Sequence, residues 1–145
     1  MRAEVVAIGD ELSTGQRLDT NTQWLSEQLT ALGVEVAFHT TVGDRLADLT
    51  AVFRTALDRA DLMVATGGLG PTADDLTRAA LAAATGDQLV RNQASLEQIR
   101  RLFATRGREM PPSNAAQADF PSRATPIANP HGTAPGIDLL VENLN

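Results

Sequence analysis

The sequence has no cysteine and no tyrosine, one tryptophan, two histidines, and only 12 lysines and arginines among its 145 residues. Without cysteine there is no disulfide, no thiolate metal site and no cysteine nucleophile. His39 and His131 are too few for a histidine-rich metal site. Neither has a spacing that argues for catalysis, and Ser–His–Asp chemistry has no recognisable nucleophile motif here. His39 then reads as structural and His131 as a loop residue. No stretch approaches the roughly 20 apolar residues of a membrane span, and the apolar run Ala3–Ile8 is too short for a signal segment. The reading is a cytoplasmic protein with no membrane partner. Aromatic residues make up only 3%, which predicts a core of Leu, Val, Ile and Ala packed around Trp24, Phe38, Phe53 and Phe103. Basic residues are scarce and scattered, and the net charge is −6, which argues against a nucleic-acid partner.

What the sequence does have is alternation. Its length suits one domain. Residues 3–8 read as a buried strand ending at Gly9. Asp19 or Thr20 can cap a helix whose Trp24, Leu25, Leu29 and Leu32 share a face, with Gly33 beyond its end. Residues 34–42 return as a strand. Leu46, Leu49, Phe53, Ala56, Leu57 and Ala60 follow the helical period, and 61–65 form a third strand. Leu76, Ala80, Ala83 and Ala84 mark a third helix closed by Gly86, and a fourth is expected over 92–106. Pro111-Pro112 then breaks the pattern, and Gly136–Val141 suggests a late strand. Strand–helix alternation implies right-handed crossovers and a mainly parallel sheet with helices on both faces. Ligands of such sheets bind outside the carboxyl ends of the strands.

One of those ends carries the strongest signal, Thr66-Gly67-Gly68-Leu69-Gly70-Pro71-Thr72-Ala73-Asp74-Asp75-Leu76-Thr77. Gly67, Gly68 and Gly70 can expose bare N–H groups to an oxyanion, and Thr72 or Asp74 can cap the following helix, whose dipole adds to the attraction. There is no Walker lysine and no G-x-G-x-x-G spacing. A plain turn needs fewer glycines and no paired aspartates, so the segment reads as a site for a phosphate-bearing small molecule. Asp75 is taken to face ligand or metal, and Asp74 could serve only the helix dipole. Gly9-Asp10-Glu11, with Asn21 nearby, lies at the end of the first strand. Its groups suit hydroxyls or metal-bound water, or else only close the loop. Asp44 stands in the same place after the second strand, either as a site residue or as a helix cap. Asn129-Pro130-His131-Gly132-Thr133-Ala134-Pro135-Gly136 is a second glycine–proline loop, a turn by itself or the other wall of an elongated site. Net acidity beside an anionic ligand fits if a divalent cation sits between them.

Taken together, Gly9–Leu12, Asp19–Asn21, Thr41–Asp44, Thr66–Thr77 and Asn129–Gly136 resemble, in order, the amino-terminal domain of the CinA (competence/damage-inducible) family. The resemblance implies a three-layer α/β/α fold of the molybdopterin-binding type and self-association as a dimer or trimer. It also implies metal-dependent hydrolysis of ADP-ribose to AMP and ribose 5-phosphate, with cobalt, manganese or magnesium and potassium. The alternative is a non-catalytic module binding molybdopterin or a nucleotide. Under the resemblance, Asp44 and Asp75 are the catalytic candidates. Asp10, Glu11, Asp44, Asp74 and Asp75 are the metal candidates. Gly67, Gly68, Gly70, Thr72, Thr77, Asn21, Asn129, Gly132 and Thr133 would hold the phosphates. The family pattern continues past Asn145 with a Leu-Pro-Gly loop and a deamidase domain. The expectation is therefore a domain incomplete at its C-terminus and no deamidase activity.

Overall fold

The computed structural model describes residues 1–142. Three parallel strands form the main sheet: β1 (Arg2–Ile8), β2 (Glu35–Val42) and β3 (Leu62–Thr66), in the order β2-β1-β3. The central strand carries the burial. Ala3, Val5, Val6 and Ala7 have no exposed surface, as expected of a strand covered on both faces. A four-residue turn of helix, α1 (Asp10–Ser13), follows β1, and then come α2 (Thr20–Ala31), α3 (Leu46–Arg59) and α4 (Thr77–Thr85). The β1–α2–β2 crossover runs one way along the sheet and β2–α3–β3 the other. Right-handed crossovers therefore put α2 and α3 on opposite faces, giving three layers.

The core lies between the sheet, α3 and α4. Phe53 and Leu49 meet Val6, Ile8 and Val42 there, and burying a side chain of that size contributes about 1.5–3 kcal/mol. Ala56, Ala80 and Ala84 are also buried in this cluster, and side chains this small let the two helices approach closely. A second cluster joins Leu96 and Ile99 of α5 (Gln93–Thr105) to Ala118, at the end of a 3₁₀ segment (Pro112–Ala118). Two short antiparallel ladders complete the described chain. They are β4 (Leu89–Arg91) with β5 (Asp119–Pro121) and β6 (Thr125–Ile127) with β7 (Gly136–Asp138).

Three expectations need correction. Trp24 is 57% exposed and Leu32 80% exposed, so the apolar face of α2 is not part of the core. Phe120, absent from the expected core, is buried beside α4 instead. The late strand is only β7, and it pairs with β6 rather than with the main sheet, because the loop between them folds the chain directly back. Trp24 is the sole tryptophan, so dilute protein is expected to show a water-exposed emission quenched readily by iodide. A blue-shifted, unquenched spectrum at every concentration would show that α2 is always covered.

β1 also holds one charged residue. Glu4 is buried, and its carboxylate receives both Nε (2.7 Å) and Nη2 (2.8 Å) of Arg59 and the hydroxyl of Thr40 (2.6 Å). The Arg59 guanidinium lies 3.9 Å from the centroid of the Phe38 ring, a cation–π contact that keeps the ring at the sheet edge. The Arg59 hydrogen bonds lower the Glu4 pKa; burial opposes them, and the Thr40 hydroxyl adds to the lowering.

Candidate functional site

A crevice of about 620 Å³ opens between the carboxyl ends of β1 and β3. Ile8 and Thr66-Gly67 form its floor, and Glu11, Arg17 and Asn21 are on its walls. The chain reverses its direction of winding between these two strands, which makes the crevice the topological switch point of the sheet. Its volume lies in the range of small-molecule sites. A wider groove of about 900 Å³ runs along the outer edge of β3, but it is lined by Leu62, Met63, Leu81 and Ile137 and holds none of the candidate residues.

Gly67 brings the glycine loop onto β1. Its φ is +108°, and a Cβ there would strike the backbone carbonyl oxygen of Ile8. Beyond it, four carbonyl groups in succession are held by the start of α4. The Thr77 hydroxyl donates to Gly67 O (2.7 Å) and the Thr77 N–H to Gly68 O (3.2 Å). Arg78 donates from Nη1 to Leu69 O (2.7 Å) and from Nη2 to Gly70 O (2.6 Å). In a trans peptide the C=O and the next N–H point in opposite directions. The N–H groups of Gly68 and Leu69 therefore face away from α4, and they have no hydrogen-bond partner among the described residues. Adjacent free amides of this kind form an anion-binding nest.

Asp75 closes the loop from the other side. Its Oδ2 receives the N–H (2.9 Å) and hydroxyl (2.8 Å) of Thr72, and its carboxylate stands beside Gly70. Burial raises the Asp75 pKa, but these bonds and the Arg78 charge outweigh it and hold the carboxyl below its ordinary value. The expected cap is overturned. The helix starts at Thr77, its cap residue Leu76 makes no side-chain bond, and neither Thr72 nor Asp74 caps it. The Thr72 hydroxyl and N–H are already taken by Asp75, and the Thr77 hydroxyl is buried against Gly67.

The other candidates separate into groups. Asp19 caps α2 by accepting the Thr22 N–H (3.0 Å). Asp10 and Asp44 lock the ends of β1 and β2 reciprocally: Asp10 Oδ1 receives the Asp44 N–H (2.8 Å), and Asp44 Oδ2 receives the Asp10 N–H (3.1 Å). Arg45, not Asp44, is the cap residue of α3. Glu11, Asn21 and Gly67 line the crevice, whereas Gly70, Asp74 and Asp75 belong to the loop beside it. Asn129, Gly132 and Thr133 lie against α5 rather than in the crevice, and Asn129 uses its side chain on Ala134 O (2.9 Å) and the His131 N–H (2.9 Å). His39 bonds Ser26 (2.8 Å) at the surface. Among the described residues no three of His, Asp or Glu gather as a metal cage.

Arg78 is the site-forming residue that the motif reading missed. A signal for it existed. A cation in the first turn of a helix opposes the macrodipole, and an arginine there needs acceptors of its own.

The sequence comparisons agree with this architecture. Residues 4–142 match the family described as a probable molybdopterin binding domain. A CinA-like protein of Frankia casuarinae is 47% identical over 144 residues, covering 96% of this chain and 33% of its own length. One from Shewanella denitrificans is 43% identical over 143 residues, covering 99% and 34%. The chain thus spans about a third of the length of the curated relatives it matches. The structure of CinA from Thermoplasma acidophilum superposes with a TM-score of 0.87 at 35% identity, over 94% of this chain and 79% of that one. The molybdopterin biosynthesis enzyme MoaB of a Thermus superposes with a TM-score of 0.56 at 28% identity, over 86% and 72%. Family match, ordered motifs and a shared fold agree: the chain belongs to the probable molybdopterin binding domain family, among the CinA proteins.

Proposed function

We propose that the chain is a binding domain for a phosphate-bearing pterin or nucleotide, with its phosphate at the glycine loop and its body in the crevice between β1 and β3. The observation that carries this reading is the Gly67 and Gly68 carbonyls turned onto Thr77, which leaves the Gly68 and Leu69 amides for an anion, while Arg78 holds the next two carbonyls on the same side. The family description supports a pterin among the possible bodies. A cytoplasmic location and self-association through the exposed face of α2 belong to the same reading.

Hydrolysis of ADP-ribose is the further step that the resemblance implies, and the side chains give it less support. Asp10 and Asp44 each bond the other's backbone, and one Asp75 oxygen is engaged by Thr72. These carboxylates do not build a metal site by themselves. A divalent ion such as Mg²⁺ would take most of its ligands from water and substrate phosphates.

One set of titrations tests both readings. The chain is titrated calorimetrically with pyrophosphate, ADP-ribose and a molybdopterin precursor, with and without Mg²⁺, Mn²⁺ or Co²⁺, and AMP release is followed in parallel. We expect binding heat without AMP, and about tenfold weaker binding in Asp75→Asn, which loses the charged acceptor that orders the loop. Metal-dependent AMP release would establish the hydrolase instead. The absence of heat with all three ligands would refute the binding reading.

A further inference from the structure

We propose that Arg78 is the positioning residue of the anion loop: its guanidinium fixes the Leu69 and Gly70 peptide planes and so keeps their carbonyl oxygens turned onto α4, away from the anion side. Arg78 is only 5% exposed and sits in the first turn of α4, where the helix dipole and the loss of water both disfavour a cation. Burial pushes its pKa down, and the charges of Asp75 and Asp119 oppose the shift. What holds it there is the planar fork, whose two nitrogens meet two consecutive carbonyls at 2.7 and 2.6 Å.

The consequence lies in which way the carbonyls point. With Leu69 O and Gly70 O held inward by Arg78 and the Asp75 carboxylate standing beside Gly70, the segment is fixed between the two side chains. Without the fork, two carbonyls lose their donors, and the glycines on this stretch let the planes rotate. A carbonyl oxygen turned outward would repel the phosphate that the amides attract. A lysine keeps the charge but offers one compact ammonium in place of the fork. Charge alone is therefore insufficient to hold both planes.

The ligand part of this inference rests on the binding reading; the conformational part does not. The test uses the full chain labelled with ¹⁵N, as wild type, Arg78→Lys and Arg78→Gln. The amide resonances of Gly67 to Gly70 are recorded without ligand, and pyrophosphate affinity and melting temperature are then measured. We expect the four loop resonances to shift in Arg78→Lys and further in Arg78→Gln, while those of β1 stay in place. Pyrophosphate binding is expected to weaken about tenfold in the lysine variant and more in the glutamine variant. Unchanged loop resonances in Arg78→Lys would overturn the proposal, as would wild-type pyrophosphate affinity despite shifted resonances. If Arg78→Gln fails to fold, the lysine variant decides. If wild-type protein itself ignores pyrophosphate, the binding reading fails, and the unliganded resonances still decide the role of Arg78.

Discussion

Glu4→Gln is expected to destabilise the domain by about 3 kcal/mol at neutral pH, at the lower end of the cost of breaking a buried ion pair. The side chain keeps its shape and its contact with Thr40 but loses the charge that receives Arg59 through two bonds. The lower end applies because Arg59 is partly exposed and can regain water. For a chain of this size, the loss corresponds to a fall in melting temperature of about 6–12 °C. The pH dependence has a definite sign. The folded Glu4 carboxyl titrates below its ordinary value, so its contribution is complete above about pH 4.3 and is lost as pH falls through the lowered folded value. Urea denaturation of wild type and variant from pH 7 to 3 should therefore show two curves that converge in acid. A gap below about 0.5 kcal/mol at pH 7, within the usual range of surface substitutions, would show that the pair contributes little. A gap that does not narrow between pH 5 and pH 3 would assign the effect to packing instead.

Gly67→Ala is expected to abolish measurable pyrophosphate binding and to cost at least about 2 kcal/mol of stability, from a strained backbone with a steric clash added. A φ of +108° is unfavourable for any residue with a side chain, and here the obstacle is backbone. The new methyl meets the carbonyl of Ile8, and Ile8 is held in the central strand by β2 while Ala7 beside it pairs with Thr66 of β3. The loop must lift away from β1, and the crevice floor that Ile8 and Gly67 share then opens. Gly132→Ala is the comparison. Its added methyl meets the Asn129 side chain alone, with the amide nitrogen at 3.2 Å, and its loop packs on α5, so binding should be retained. Calorimetric titration and thermal melts of both variants make the comparison. If Gly67→Ala binds as wild type does, the loop is not the anion site. If Gly132→Ala loses binding, the second loop does form a wall of it.

Much of the fold was legible because it depends on local periodicity. The Leu46-to-Ala60 stripe became α3, the Asn92 region became the cap of α5, and Gly86 closed α4. The buried run at residues 3–8 became the central strand, and a crevice lies at the carboxyl ends of the strands, where the alternation placed it. Trp24 misled because a helical stripe shows that a face is apolar, not what covers it. The partners of the candidate carboxylates were hidden for a related reason. Spacing reveals that Asp10, Asp44 and Asp75 lie near strand ends, but not that each is already committed to a backbone N–H of the loops it joins.

By itself the sequence determined the alternation of strands and helices, the glycine loop after the third strand, and the family, since each is written in short-range pattern. Only the tertiary structure decided that Glu4 is buried opposite Arg59, 55 residues away, and that Gly67 rests on Ile8. It alone revealed that Arg78 takes the loop's carbonyls. The physical reason is the same in each case. Where a polar group finds its partner depends on which distant backbone the packed sheet brings within about 3 Å, and no local pattern in the chain carries that distance.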